Sequence, residues 1–196
     1  MSDKNNVRNK DRLTGIVLLY FAGVIAGACL YCFPNGQADG FGVFAESFVS
    51  GRFDKRFAEI LVNAFCEPFV MLLICFLLGL SAIAHPAEYL VPVFHAMGTG
   101  IAFAGIYDLY GIKGIVMSAV MLIPGTVISA FAIIIAVREA LNMSSDVFSA
   151  AFGKSTAVQI NLRLYFTKFV ILCAMVVIAA LAESTLIFLF ADLWKV

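Results

Sequence analysis

Glu59, Asn63 and Glu67 stand four residues apart, and Pro68 follows at once. A spacing of four stacks side chains on one face of a helix. Lys55 extends the same stripe by one turn and lies within reach of Glu59. A proline inside a helix offers no N–H to the carbonyl four residues earlier and collides with it. A kink is therefore expected at Pro68, with the Ala64 carbonyl released. A polar stripe beside a kink suits a face lined by protein or water rather than by lipid. Glu183, in AALAESTL, is a second acid within an apolar run. At ~1.5 Å of rise per residue, Glu67 falls roughly 10 Å, and Glu183 roughly 15 Å, below the outer ends of their runs. The two acids thus reach similar depths on helices running in opposite directions. A charge at such depth costs on the order of several kcal/mol unless it is paired, hydrated or protonated. Glu67 and Glu183 are therefore expected to face the bundle interior or a partner. Such a pair can relay protons or ions. It can equally be structural, bonding to backbone carbonyls loosened by Pro68 or Pro124, and this reading is preferred because nothing else marks a permeation path.

Other chemistry is sparse. His95 lies near the inner end of an apolar run, where a single histidine reads as a packing or hydrogen-bonding residue. Cys29 and Cys32 form a C-x-x-C, a spacing shared by redox and metal motifs. Both sit where an apolar run ends, with no second pair and no neighbouring histidine, and they read as small residues closing a helix. No H-E-x-x-H, phosphate-binding loop or nucleophile elbow occurs. The chain is expected to be no enzyme, with no cofactor and no metal. Its formal net charge is zero, and no basic patch is interleaved with aromatics, so nucleic acid is not an expected partner.

The elements that position these residues follow from composition. Of 196 residues, 62% are hydrophobic and 13% charged. A soluble domain of this size is about half apolar and about one quarter charged, so the excess points to a bilayer as solvent. The expected architecture is all-α: one integral membrane domain over residues 1–196, a helical bundle of five spans at about 13–33, 60–84, 90–107, 115–137 and 166–193. The polar start MSDKNNVRNKDR followed by an apolar run resembles a signal peptide, and AGAC at residues 26–29 a lipoprotein cleavage site. The run continues past Cys29 to Phe33, so an uncleaved span is the better reading. A turn-rich break is expected at residues 34–42. Phe41, Phe44, Phe48 and Val49 then share a face, suiting a short amphipathic helix in the membrane interface. HPAEYLVP, with two prolines, His85 and Glu88, reads as the break after the second span. Residues 138–163 read as polar, with a helix-start signal at Ser144-Ser145-Asp146 ahead of an apolar face at Val147, Phe148, Ala151 and Phe152. Trp194 and Lys195 read as an interfacial stop.

Lysine and arginine set the orientation. With a cytoplasmic N-terminus, eight basic residues lie inside (Lys4, Arg8, Lys10, Arg12, Arg138, Lys154, Arg163, Lys168) and five outside (Arg52, Lys55, Arg56, Lys113, Lys195). This favours N-inside.

Lipid tails are as apolar as leucine, so membrane helices associate through close backbone contact, which small residues permit. Gly23 and Gly27 form a G-x-x-x-G in the first span. Ala96, Gly100 and Ala104 repeat every fourth position in the third. These are the expected helix-packing residues, with the third span at the centre of the bundle and self-association of the chain a further possibility. Pro124, followed by Gly125, is a second expected kink.

In order along the chain, GVIAGA (residues 23–28), LLGLSAIAHP (77–86), FHAMGTGIAFAGIYDLYGIKGI (94–115), LIPGTVIS (122–129) and AALAES (179–184) resemble the stage II sporulation protein M family. The likeness covers about residues 13–193. One departure is visible: family members often carry Glu-Ala and then a proline, whereas Ser184 follows Glu183 here. The resemblance implies a non-catalytic multi-span protein of the bacterial inner membrane. Its implied partners, besides membrane lipid, are the membrane-anchored cell-wall hydrolases known as stage II sporulation proteins D and P. The implied role is to anchor a peptidoglycan-remodelling complex, as in engulfment of the forespore. The alternative is a transporter or permease component that uses the intramembrane carboxylates.

Overall fold

The structure, a computed structural model, describes residues 2–33, 40–53, 56–82, 85–151 and 161–194. Every regular element among them is helical. These are α1 (Ser2–Cys32), α2 (Gly40–Phe53), α3 (Phe57–Gly79), α4 (His85–Tyr110), α5 (Ile112–Met117), a π-helical turn (Ser118–Leu122), α6 (Ile123–Ala151) and α7 (Leu162–Trp194). Five segments are long and apolar enough to cross a membrane: Arg12–Cys32, Phe57–Gly79, Pro86–Tyr110, Ile112–Ala151 and Leu162–Phe190. The chain is a multi-pass, all-α membrane protein. Its outer surface carries apolar side chains such as Leu18, Phe21, Ile25, Leu77, Phe94, Phe131 and Phe188, all exposed. A bilayer accepts such a surface and water does not.

α1 runs along α4; α3, α6 and α7 pack on one another; and α4 also meets α6, joining the two groups. Half of the apolar window is buried both in α4 and in the segment Ile112–Ala151, against 22% for α1, so the centre is shared by these two rather than held by the third span alone. The α1–α4 seam is built by the predicted small residues. A Cβ added to Gly23 would lie 2.8 Å from Ala96 Cβ. One on Gly27 would lie 2.8 Å from Met97 Cα, and one on Gly100 would lie 3.0 Å from the Ala28 nitrogen. These separations leave no room for a side chain, so the two backbones touch. Farther along the seam Ala104 packs beside Tyr31 and Ile101, and the Tyr31 hydroxyl donates to Asp108 Oδ2 at 3.2 Å.

Several boundaries differ from the sequence reading. The second span ends at Gly79 rather than residue 84, where Leu80 and Ser81 turn back on the carbonyls of Leu77 and Leu78. HPAEYLVP is not a break but the first two turns of α4. Pro86 lies in the first turn, where no N–H is needed, and Pro92 is tolerated inside the helix and fully buried. The fourth span does not stop near residue 137. It runs on through Ser144-Ser145-Asp146 to Ala151, so that triplet starts no new helix. The burial of Val137, Ala140, Leu141, Met143 and Ser144 against the rest of the bundle outweighs the local preference of serine and aspartate for caps. Helices occupy the first and fifth predicted spans and extend beyond both. The predicted break at 34–42 lies mostly outside the described residues, as do Lys55, Phe152, Lys154 and Lys195. The helix expected after it is α2, which lies over α4 and α3.

Candidate functional site

α3 presents Ile60, Ala64, Pro68, Leu72 and Cys75 to the bundle. Glu67 is one residue, about 100° of helix, off that buried row, so it is only half-buried. Its length still carries the carboxyl into the interior: with Ala64 and Pro68 it lines a cavity at the middle of the spans. α7 contributes Ala179, Ala180 and Glu183, whose exposure is 6%. The two acids singled out from sequence therefore line the same cavity. Asn63, half-buried, and Glu59, exposed, do not reach it. The four-residue stripe is real as a helix face, but the bundle covers it only at Glu67.

α4 and α6 supply the rest of the wall. His95 and Thr99 come from α4, and Gly125, Thr126 and Ser129 from α6. His95 is 3% exposed and shares a hydrogen bond with Tyr20 on α1, Oη to Nδ1 at 3.1 Å. Thr99 donates to the His95 carbonyl at 3.0 Å, Ser129 donates to the Thr126 carbonyl at 2.9 Å, and Thr126 donates to the Leu122 carbonyl. Phe48 of α2, Phe103 and Leu122 close the remaining side. The room inside is about 20 Å³, enough for one water-sized occupant.

Both expected kink sites adjoin this cavity. Pro68 lies within α3, and the helix continues through it. Pro124 comes directly after the π-helical turn Ser118–Leu122, where the ladder has widened by one residue. Gly125 explains why the Pro-Gly pair stands where it does. A Cβ there would lie 2.7 Å from Glu183 Cβ and 2.8 Å from its Oε2. Only a glycine lets α6 pass close enough to α7 with a glutamate between them.

A second buried acid was not singled out from sequence. Glu88 is 0% exposed, and neither carboxyl oxygen has a hydrogen-bond partner among the described residues. It lies at the start of α4, near Ser144, Cys75 and Tyr165. The neighbouring hydroxyls also bond to the main chain. Ser144 donates to the Ser81 carbonyl at 2.8 Å, and Tyr165 donates to the Phe76 carbonyl at 3.1 Å. Tyr165 also stacks on Phe76 and fills the space left by Gly79, where a Cβ would lie 2.9 Å from Ala140 Cα. The signal was present in sequence. The four-residue series Ala96, Gly100, Ala104 extends backwards through Pro92 to Glu88, and the two prolines concealed it by suggesting a loop.

Cys29 and Cys32 are exposed near the end of α1 and do not line the cavity. The chain matches no family model, no curated protein and no solved structure.

Proposed function

We propose that this chain is a non-catalytic multi-pass scaffold of the bacterial cell membrane, with its N-terminus cytoplasmic, that anchors or organises a peptidoglycan-remodelling complex. The reading rests on the resemblance to the stage II sporulation protein M family. One structural observation supports it: four of the stretches that carry the resemblance meet in space. GVIAGA packs on FHAMGTGIAFAG through Gly23, Gly27, Ala96 and Gly100, and LIPGTVIS packs on AALAES through Gly125 and Glu183. Residues far apart in sequence thus form two close helix pairings, α1 with α4 and α6 with α7. The exposed apolar rows on α1, α3 and α7 suit lateral contact with single-span partners through the bilayer. By the resemblance, those partners are the membrane-anchored stage II sporulation proteins D and P.

Affinity purification of the full tagged chain from membranes tests this. The expected result is co-purification of single-span cell-wall hydrolases. Purification without any such partner, together with sporulation or wall phenotypes unaffected by deletion, sinks the reading. A transporter or permease component is the second reading, favoured by the convergence of Glu67 and Glu183 on one cavity. It is expected to give proton- or ion-coupled flux in liposomes that disappears when either acid is neutralised.

A further inference from the structure

A groove opens between α1, α4 and α6. It holds about 340 Å³, against about 20 Å³ for the central cavity. Val17, Phe21 and Val24 form one wall, and Ile123, Val127 and Ile134 the other. α4 contributes Thr99 and Phe103, which also line the central cavity. Phe21, Val127 and Phe131 are exposed, so the groove opens toward the bilayer. None of the residues lining it carries a charge. Its hydroxyls are engaged within the protein: Tyr20 bonds to His95 Nδ1, Thr99 donates to the His95 carbonyl and Thr126 to the Leu122 carbonyl.

The length of the groove matches one leaflet. From Ile123 to Ile134 the α6 wall rises roughly 16 Å, and half of the hydrocarbon core is about 15 Å thick. On α1 the wall runs from Val24, near the middle of the apolar segment Arg12–Cys32, back to Val17. As the first and fourth spans, α1 and α6 run in opposite directions, so Val17 and Ile134 mark the same end. Arg138 stands one turn past Ile134, about 6 Å farther along α6. At about 100° per residue it lies about 40° from Ile134 and about 20° from Phe131, within the arc that lines the groove. The Arg138 Nε is buried and has no hydrogen-bond partner among the described residues. Glu139, the next residue, is held by Lys168. A cation with an unmet donor thus stands at headgroup level, beyond the end of an uncharged slot one leaflet deep.

We propose that an anionic phospholipid binds here, with one acyl chain in the α1–α4–α6 groove and its phosphate on Arg138. Hydrocarbon suits walls that offer neither charge nor an unbonded hydroxyl. The phosphate supplies a negative charge together with acceptors that an arginine takes side by side through two N–H groups. Basic pockets between membrane helices hold anionic headgroups in this way. A partner helix fits less well. A single turn, about 5.4 Å long and about 10 Å across, occupies roughly 420 Å³, more than the groove holds. The bound chain lies against Thr99 and Phe103 and so backs the wall between the central cavity and the bilayer. The inference rests on the groove and Arg138, not on the scaffold reading.

Native mass spectrometry of the purified full-length protein, titrated in turn with phosphatidylglycerol and phosphatidylcholine of identical chains, provides the test. The expected result is one phosphatidylglycerol retained at saturation, with much weaker retention of phosphatidylcholine. Arg138→Gln should weaken phosphatidylglycerol binding about tenfold, the scale of one lost charge-assisted hydrogen bond. Ala130→Trp, which fills the groove, should abolish it. Arg163→Gln, exposed on α7, should leave it unchanged. Equal retention of the two lipids, or binding that survives in both the Arg138 and Ala130 variants, overturns the proposal and leaves only an unselective lipid annulus. If Ala130→Trp spares lipid binding but removes a co-purifying single-span protein, the groove belongs to a partner helix and the proposal fails. If the variants do not fold, the unaltered protein decides. Phosphatidylglycerol with a photoreactive group on one acyl chain should crosslink to peptides covering residues 17–24 and 123–134, and labelling confined to other segments sinks the site. Failure here does not touch the co-purification of cell-wall hydrolases, so the two readings fail separately.

Discussion

Glu183 and Glu88 are both buried acids, yet the protein treats them in opposite ways. Glu183 faces a void bordered by another carboxyl, an imidazole and three hydroxyls, and a glycine on α6 is reserved for it. Glu88 is sealed among Ser144, Cys75 and Tyr165, and the hydroxyls beside it donate to the carbonyls near the end of α3 instead. One acid faces a cavity shared with a second carboxyl; the other is enclosed by packed side chains. Burial alone therefore does not mark a site. What differs is the surroundings: Glu183 lines a cavity together with a second carboxyl, an imidazole and hydroxyls, whereas Glu88 is packed against the side chains at the start of α4.

The largest expected effect breaks the first half of this contrast. Gly125→Leu places a branched side chain where even a Cβ would be 2.7 Å from Glu183 Cβ. Overpacking of this kind costs about 1–3 kcal/mol and sometimes more, so the α6–α7 contact should be lost. A large fall in Tm, or failure to purify as a single species by size-exclusion chromatography in detergent, is the expected result; wild-type Tm would contradict the geometry.

Leucine and glutamine scans at the two acids sharpen it next. Replacing a buried ionic group with a well-packed apolar one is often neutral or stabilising by about 1–4 kcal/mol. Glu88→Leu removes a fully buried carboxyl and should hold or raise Tm, with Glu88→Gln the less stable of the pair because its amide still has to be buried. At position 183 the order should reverse, glutamine being tolerated better than leucine. The same order at both positions in thermal unfolding would dissolve the distinction.

The smallest effect concerns the support behind the cavity. Tyr20→Phe deletes the hydroxyl bonded to His95 Nδ1. A single bond of this type contributes about 1 kcal/mol, so a modest drop in Tm is expected, together with a change in the His95 imidazole resonance by NMR. An unchanged resonance would mean that the contact is not made.

Much of this organisation was legible before any coordinates. Composition gave the membrane and five spans. The periods at Gly23, Gly27, Ala96, Gly100 and Ala104 marked packing faces, because close backbone approach leaves a signature in residue size, but not that the first span packs on the third. Depth counting brought Glu67 and Glu183 to one level. Three things were hidden. Prolines at 86 and 92 suggested a loop, although both positions are compatible with a helix, and Glu88 was lost with them. Ser144-Ser145-Asp146 suggested a helix start that tertiary burial overrides. The hydroxyl wall of Thr99, Thr126 and Ser129 is visible only once four helices are assembled, since no single helix shows it.

The π-helical turn at Ser118–Leu122 has one more consequence. An extra residue in the ladder is a phase offset: everything after it is rotated by one residue step, about 100°, relative to an uninterrupted helix begun at Ile112. That offset sets which side of α6 looks at α7. Without it, the azimuth now occupied by Gly125 would belong to a neighbour with a side chain, and Glu183 would have nowhere to stand. A local irregularity of five residues thus works as the angular key that aligns two long cylinders.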